Sequence, residues 1–207
     1  SLIKRIGSGA YGEVWLAQSV TGAYRAVKIV WREDFELTKT FHREFLGIQQ
    51  FEPISRGHPC LVHILHVGWN ETRGFYYCVM ELGDDVEEGG NITNIDSYVP
   101  RTLGTDMKRH GRLDPFFCRD AGTYMADALH FMHNHGLTHR DIKPSNVIFV
   151  GGVCKLADIG LAQRLARLGE GESQPAKRHR RPVHQAYPFL CSGHGFLMAA
   201  QFRETFA

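Results

Sequence analysis

Asp141, Lys143 and Asn146 stand within six positions in THRDIKPSNVIF, residues 138–149, just before an apolar run. They bring a carboxylate, an ammonium and a side-chain amide to one short segment. Asp158 follows Asn146 by twelve residues, in LADIG, which is the length of one hairpin. Asn146 and Asp158 can then meet as oxygen ligands, which suits Mg²⁺ with a bound triphosphate. A second group lies in IGSGAYGEVWLA, where Gly7, Gly9 and Gly12 make G-x-G-x-x-G and Val14 follows two further on. Glycines let the backbone approach phosphate oxygens and donate N–H groups to them. A bare glycine hairpin would use the same residues. In dinucleotide-binding folds a helix follows these glycines, but here the strand-like EVWLAQSV follows, which favours a glycine-rich hairpin folded over a nucleotide.

The third group centres on Lys28, in the apolar strand pattern YRAVKIV, with Ala26 two residues earlier on the same face. A lysine there must find an anion or reach out to water. Glu44 lies beside the stripe Phe41, Phe45 and Ile48. An ion pair Lys28–Glu44 is expected to orient the ammonium towards nucleotide phosphates, although each residue alone also suits an ordinary solvated surface.

These residues need elements to position them. LIKRI, EVWLAQSV and AYRAVKIV read as strands, with turns at GSGAYG and TGA. KTFHREFLGIQQF has helical periodicity. HPCLVHILHVGW and GFYYCVMEL read as two more strands. Residues 83–100 are acidic, glycine-bearing and aperiodic, which reads as a connecting loop. A short helix is expected over 101–110. LDPFFCRDAGTYMADALHFMHNHG predicts a long one, capped by Asp114, opened by Pro115, ended by Gly136, and striped by Phe117, Ala121, Tyr124, Ala128 and Met132. NVIFV and CKLAD follow as a strand pair joined by a Gly-Gly turn. After about residue 163 the pattern turns polar and basic, and the run KRHRR is expected to be a solvated tail rather than an RNA- or membrane-binding patch.

The 207 residues, 43% apolar and 22% charged, suffice for one sizeable domain or two small lobes. A net charge of +2 argues against a dedicated nucleic-acid binder. Five scattered cysteines, never in a C-x-x-C pair, suit a reducing compartment and neither a disulfide framework nor a zinc site. No apolar run is long enough to span a bilayer, so a cytoplasmic location is expected.

Taken in order, G-x-G-x-x-G-x-V, A-V-K, a helical Glu, H-R-D-I-K-P-S-N and D-x-G resemble the signature set of the protein kinase family, over about Leu2 to Gln163. The resemblance implies an α+β, two-lobed fold: a β-rich, ATP-binding N-lobe with one helix over 1–82, a hinge and connecting loop over 83–100, part of a mainly helical C-lobe over 101–163, and a basic tail over 164–207. It implies ATP and Mg²⁺ as cofactors and a protein Ser/Thr hydroxyl as acceptor. By resemblance, Gly7, Ser8, Gly9, Ala10, Tyr11 and Gly12 cover the phosphates, and Lys28, held by Glu44, binds the α- and β-phosphates. Asp141 accepts or orients the substrate hydroxyl, Lys143 steadies the γ-phosphate as in serine/threonine kinases, and Asn146 and Asp158 hold Mg²⁺. VMELG resembles the hinge, with Met80 as gatekeeper and the backbone of Glu81 and Leu82 facing adenine. Val14, Ala26 and Ile148 would sandwich the ring, or simply pack as core. Ile48, Ile64, His139 and Ile159 resemble the internal spine, which makes His139 a buried packing residue.

The usual D-F-G is here D-I-G, which keeps the metal-binding aspartate. No A-P-E motif follows Gln163, so the C-lobe is expected to be incomplete and the chain a piece of something longer. The style of the motifs resembles bacterial serine/threonine kinases. Two other readings stay open. One is a truncated ATP-binding or interaction module with little or no catalysis. The other, a small-molecule phosphotransferase, fits less well with a full glycine turn and the H-R-D-x-K-P form.

Overall fold

Alternating apolar residues build the first sheet of the computed structural model, which describes residues 1–9, 12–158 and 163–164. Ala10 and Tyr11 of the predicted glycine turn, Ile159 of the predicted spine, and residues 165–207 of the predicted tail lie outside the described residues. Strands β1 (Leu2–Gly9), β2 (Gly12–Gln18), β3 (Tyr24–Trp31), β4 (Ile64–Asn70) and β5 (Phe75–Met80) form one antiparallel sheet in the order β1-β2-β3-β5-β4. Val14, Lys28 and Cys78 lie across from one another, and Leu16, Ala26 and Met80 form the next row. Side chains alternate along a strand, so both rows share one face with Val30 and Tyr76. Val14, Ala26, Lys28 and Met80 are thereby gathered on a single surface.

Helix α1 (Thr38–Ser55) covers part of that face. Phe41 and Phe51 are fully buried and Phe45 partly so; the Phe41 and Tyr76 rings lie 5.4 Å apart. The helix runs four residues past the expected Phe51, because Ser55 locks its last turn. The Ser55 hydroxyl donates to the Glu52 carbonyl at 2.7 Å and accepts the Ile64 N–H at 3.0 Å.

The expected strand from His58 begins only at Ile64. Residues 58–62 are drawn away from the sheet. The His58 ring accepts the Cys60 N–H and meets Asp127 at 3.0 Å, and Val62 N–H donates to Leu156. This apolar stretch therefore joins the first half of the chain to the second.

The second half holds α2 (Leu103–His110), α3 (Pro115–Asn134), β6 (Leu137–Thr138), β7 (Val147–Val150), β8 (Val153–Leu156) and β9 (Gln163–Arg164). Asp114 caps α3 by accepting the Phe117 N–H at 2.9 Å, and Gly136 turns the chain after it at φ 75°. Ala121, Ala128 and Met132 are buried, with Phe117 and Tyr124 partly buried beside them. β7 and β8 pair antiparallel through Gly151 and Gly152, both at positive φ, and β6 pairs with β9. A single core runs through both halves, from Phe41 and Ile48 to Met132, Phe149 and Leu156. Each such side chain contributes about 1.5–3 kcal/mol on burial. No helix among the described residues is long and apolar enough to cross a membrane.

Candidate active site

The β7–β8 hairpin places the two ends of the acidic motif side by side. The Ala157 N–H donates to the Asn146 carbonyl at 2.8 Å, which puts Asp158 next to the 141–146 segment. The Asn146 side-chain nitrogen donates to the Asp141 carbonyl at 2.8 Å and to its carboxylate at 2.9 Å. Lys143 donates to the same carboxylate at 2.7 Å. His139 closes the loop from below. Its buried ring lies 2.9 Å from the Ala157 carbonyl through Nε2, and Nδ1 accepts the Asp141 N–H at 3.3 Å. Burial holds its pKa below the ordinary histidine value, so the neutral ring suits one donated and one accepted bond. The expected packing residue is thus also a backbone brace.

Two residues here adopt left-handed backbone without being glycine: Arg140 at φ 67° and Asp158 at φ 60°. That conformation costs about 1–2 kcal/mol per residue. It flanks Asp141 and falls on Asp158 itself, where such strain commonly accompanies function.

Lys28 reaches this cluster from the sheet, and its ammonium pairs with the Asp158 carboxylate. The expected pair with Glu44 is not formed. Desolvation opposes the Lys28 charge, but Asp158 outweighs it, and the pKa rises above the ordinary lysine value. Glu44 is 4% exposed on the buried side of α1. Desolvation first, with repulsion from Asp158, pushes its carboxyl up to about 7 against the pull of Lys28. Glu44 is buried, where its charge is costly, and the better solvated Asp158 takes the ammonium. Asp141 moves the other way. The Lys143 hydrogen bond, helped by Asn146, holds its pKa below the ordinary aspartate range, so it stays ionised at neutral pH.

Glu44 therefore opposes folding once pH rises. Below about pH 4.5 the carboxyl is protonated folded and unfolded alike; between there and pH 7 only the unfolded chain ionises, and above pH 7 the full penalty remains. Glu44→Gln should leave stability near pH 4 unchanged and raise it at pH 8 by about 3 kcal/mol. Urea unfolding at the two pH values measures this, and equal shifts at both would contradict it.

The glycines divide into two kinds. Gly12 sits at φ 104°, and a Cβ there would collide with the Ile29 carbonyl oxygen, so the β2–β3 pairing alone demands glycine. A Cβ at Gly7 would meet nothing nearer than Val14 at 3.6 Å, and one at Gly9 nothing within 4 Å. Among the described residues, packing does not explain those two, and there is room beside each for a side chain. At the other edge, the Glu81 N–H donates to His63, but among the described residues the Glu81 carbonyl and the Leu82 N–H carry no hydrogen bond. Met80 and Ile148 are partly buried near this edge, and Ala26 is buried.

One anchor escaped the sequence reading. The Glu81 carboxylate accepts Lys155 at 2.7 and 3.0 Å and the His63 N–H at 2.9 Å, fastening the end of β5 to β8. Lys155 is 6% exposed. Its signal was the one used for Lys28: a lysine inside an apolar strand needs an anion. A groove of about 470 Å³ lined by Val27, Ile29, Phe75, Tyr77 and Val79 lies on the opposite face of the sheet and contains none of the predicted site residues.

The donor set fits Mg²⁺. Asn146 commits its nitrogen to Asp141, so its carbonyl oxygen is the end that can meet a cation, and Asp158 adds a carboxylate. Mg²⁺ takes few protein oxygens and completes its shell with phosphate and water. Among the described residues no group of three or more His, Cys, Asp or Glu could hold a metal ion without such help.

Comparison with known proteins agrees with this geometry. The family model for the protein kinase domain matches residues 1–179, past the Gln163 limit read from motifs. The chain is 30% identical to a probable serine/threonine-protein kinase of Dictyostelium discoideum, over 79% of this chain and 28% of that protein. It is 30% identical to the serine/threonine-protein kinase STK11 of Homo sapiens, over 77% of this chain and 34% of the relative. The dual specificity protein kinase TTK of Mus musculus is 27% identical, over 80% of this chain and 17% of its own length. The chain thus spans about a third or less of these relatives. They are eukaryotic, so the expected bacterial character finds no support.

Proposed function

Since the chain belongs to the protein kinase domain family, we propose that it binds ATP with Mg²⁺ and transfers the γ-phosphoryl group to a protein serine or threonine hydroxyl. The observation that carries this reading is the convergence of Lys28, Asp141, Asn146 and Asp158, from segments up to 130 residues apart, at one charged cluster. In this reading residues 1–82 form the ATP-binding lobe, 83–100 the connecting loop and 101–163 the catalytic segment. Adenine lies against Val14, Ala26, Met80 and Ile148, and bonds the Glu81 carbonyl and the Leu82 N–H. The turn from Gly7 through Ser8, Gly9, Ala10 and Tyr11 to Gly12 covers the phosphates.

Lys28 and Asp158 neutralise each other in the structure. ATP with its cation offers each a new partner: phosphate oxygens for Lys28, Mg²⁺ for Asp158 and Asn146. Bound Mg²⁺ supplies charge neutralisation on the phosphate oxygens. Lys28, once released, can meet Glu44 as well as phosphate. Asp141 accepts the proton of the attacking hydroxyl or orients it, and Lys143, already 2.7 Å from Asp141, steadies the γ-phosphate. The described cysteines are unpaired, which suits a cytoplasmic setting, and the net charge of +2 suits protein rather than nucleic acid as partner.

Thermal unfolding with and without Mg²⁺–ATP tests binding, because a ligand of the folded state must raise the midpoint. At a hundred times Kd the gain is about 2.7 kcal/mol. Transfer of labelled phosphate to a Ser/Thr-containing protein then tests catalysis. No midpoint shift would sink the nucleotide site; a shift without transfer would favour a binding module.

A further inference from the structure

Residues 84–100 have no helix or strand, yet their carboxylates fold them into a closed loop. Asp85 accepts the N–H groups of Glu87 and Glu88 through one oxygen, at 2.8 and 2.9 Å, and that of Val99 through the other, at 2.7 Å. Glu88 accepts from the N–H and hydroxyl of Thr93 at 2.6 and 2.7 Å. Tyr98 is 1% exposed and donates its hydroxyl to the Gly83 carbonyl at 2.9 Å. Ends brought together by such internal bonds make a compact Ω-type loop.

This loop is fastened to the second half of the chain. Asp84 accepts the N–H groups of Gly151 and Gly152, each at 2.7 Å, and its own N–H donates to Phe149. Arg109 bonds the Val86 carbonyl at 2.7 Å and pairs with Glu87 at 2.8 Å. The other side of the loop meets β1. The Lys4 ammonium donates to the carbonyls of Asp96 and Tyr98 at 2.6 and 3.2 Å. β1 is an edge strand, paired on one side only and with two register irregularities. It leads directly into Gly7 and Gly9, so what holds Lys4 holds the glycine turn.

We propose that residues 84–100 form a strap across the mouth of the nucleotide cleft, with Lys4 as its latch, setting how long nucleotide stays bound. The proposal rests on the nucleotide-site reading above. Lys4 is a positioning residue: it acts through β1 and touches neither phosphate nor acceptor.

Two measurements decide it. The first is stopped-flow release of a fluorescent ATP analogue with Mg²⁺, joined to steady-state kinetics. Lys4→Met should speed release and raise KM for ATP about fivefold, the range for one charge-assisted bond in a partly exposed site, with kcat not reduced. Lys4→Arg should restore wild-type behaviour. Unchanged release in Lys4→Met, or a fall in kcat alone, would overturn the latch. The second is amide hydrogen exchange without nucleotide. Lys4→Met should hasten exchange over residues 2–9 and 94–98 while α3 keeps its protection. Equal exchange in both proteins, or protection lost throughout, would overturn the latch whether or not the chain binds ATP. Absence of nucleotide binding by the wild type would instead count against the site reading, and the exchange result would still decide the latch.

Discussion

Asp141→Asn should lower the phosphotransfer rate by about 10²–10⁴-fold, the range for one acid–base group, with KM for ATP changed less than about twofold. The Asp141 carboxylate is held by Lys143 at 2.7 Å and by the Asn146 amide at 2.9 Å. Both are donors, so both favour the ionised form, and the Asp141 pKa is lowered accordingly. A low pKa makes a poor general base but a dependable acceptor for orienting a hydroxyl. Asparagine keeps the shape, and its one oxygen can take both donors at the Oδ2 position, but its amide nitrogen, a donor, then stands where the second carboxylate oxygen would accept a hydroxyl. The loop itself should survive, because His139 braces the backbone on either side through the Asp141 N–H and the Ala157 carbonyl. The loss should therefore fall on kcat. The thermal response to Mg²⁺–ATP should persist in this variant. Equal turnover in Asp141→Asn and wild type would remove Asp141 from the reaction, and a lost thermal response would make it a binding residue instead.

Where local chemistry settled the outcome, the sequence was legible. Strands β1, β2 and β3 follow from their β-rich runs and the turns between them, and α3 begins after Asp114 and turns off at Gly136 as its capping residues dictate. The acidic motif was legible for a similar reason: a two-glycine hairpin of fixed length had to return Asp158 to Asn146. What was not legible depends on which distant group a polar atom meets. Residues 58–62 carry a strand-like apolar run, but the backbone partner of Cys60 and Val62 is Leu156 of β8 rather than the sheet beside them. Residues 83–100 are acidic and aperiodic, which reads as a connecting loop but says nothing of its internal order, and there Asp85 and Glu88 spend their oxygens on local N–H groups and order them. Lys155 and Lys28 both demanded an anion. Which carboxylate answered was set by solvation in the folded chain: Glu81 for one, Asp158 rather than Glu44 for the other.

That choice of partner fixes the second large effect. Lys28→Met should lower kcat/KM for ATP by about 10²–10³-fold, comparable to removing one preorganised charge donor from a transition state. Stability should change little, by about 1 kcal/mol or less, because the groups left behind can adjust. The Asp158 side chain is 42% exposed and regains water. Glu44 loses the attraction of Lys28 that had restrained its upward shift, which adds to its penalty at neutral pH, but the desolvation cost of the Lys28 ammonium is removed at the same time. Lys28→Arg should not rescue turnover. The Lys28 side chain is only 15% exposed, and a planar guanidinium would need more room and a different angle to phosphate. The decisive comparison is the double variant with Glu44→Gln. If Glu44 serves only to orient the ammonium during turnover, removing it after Lys28 costs nothing further, and the double variant matches Lys28→Met alone. If the two losses multiply, Glu44 acts on the nucleotide or its cation in its own right, and the role given to it through Lys28 is wrong.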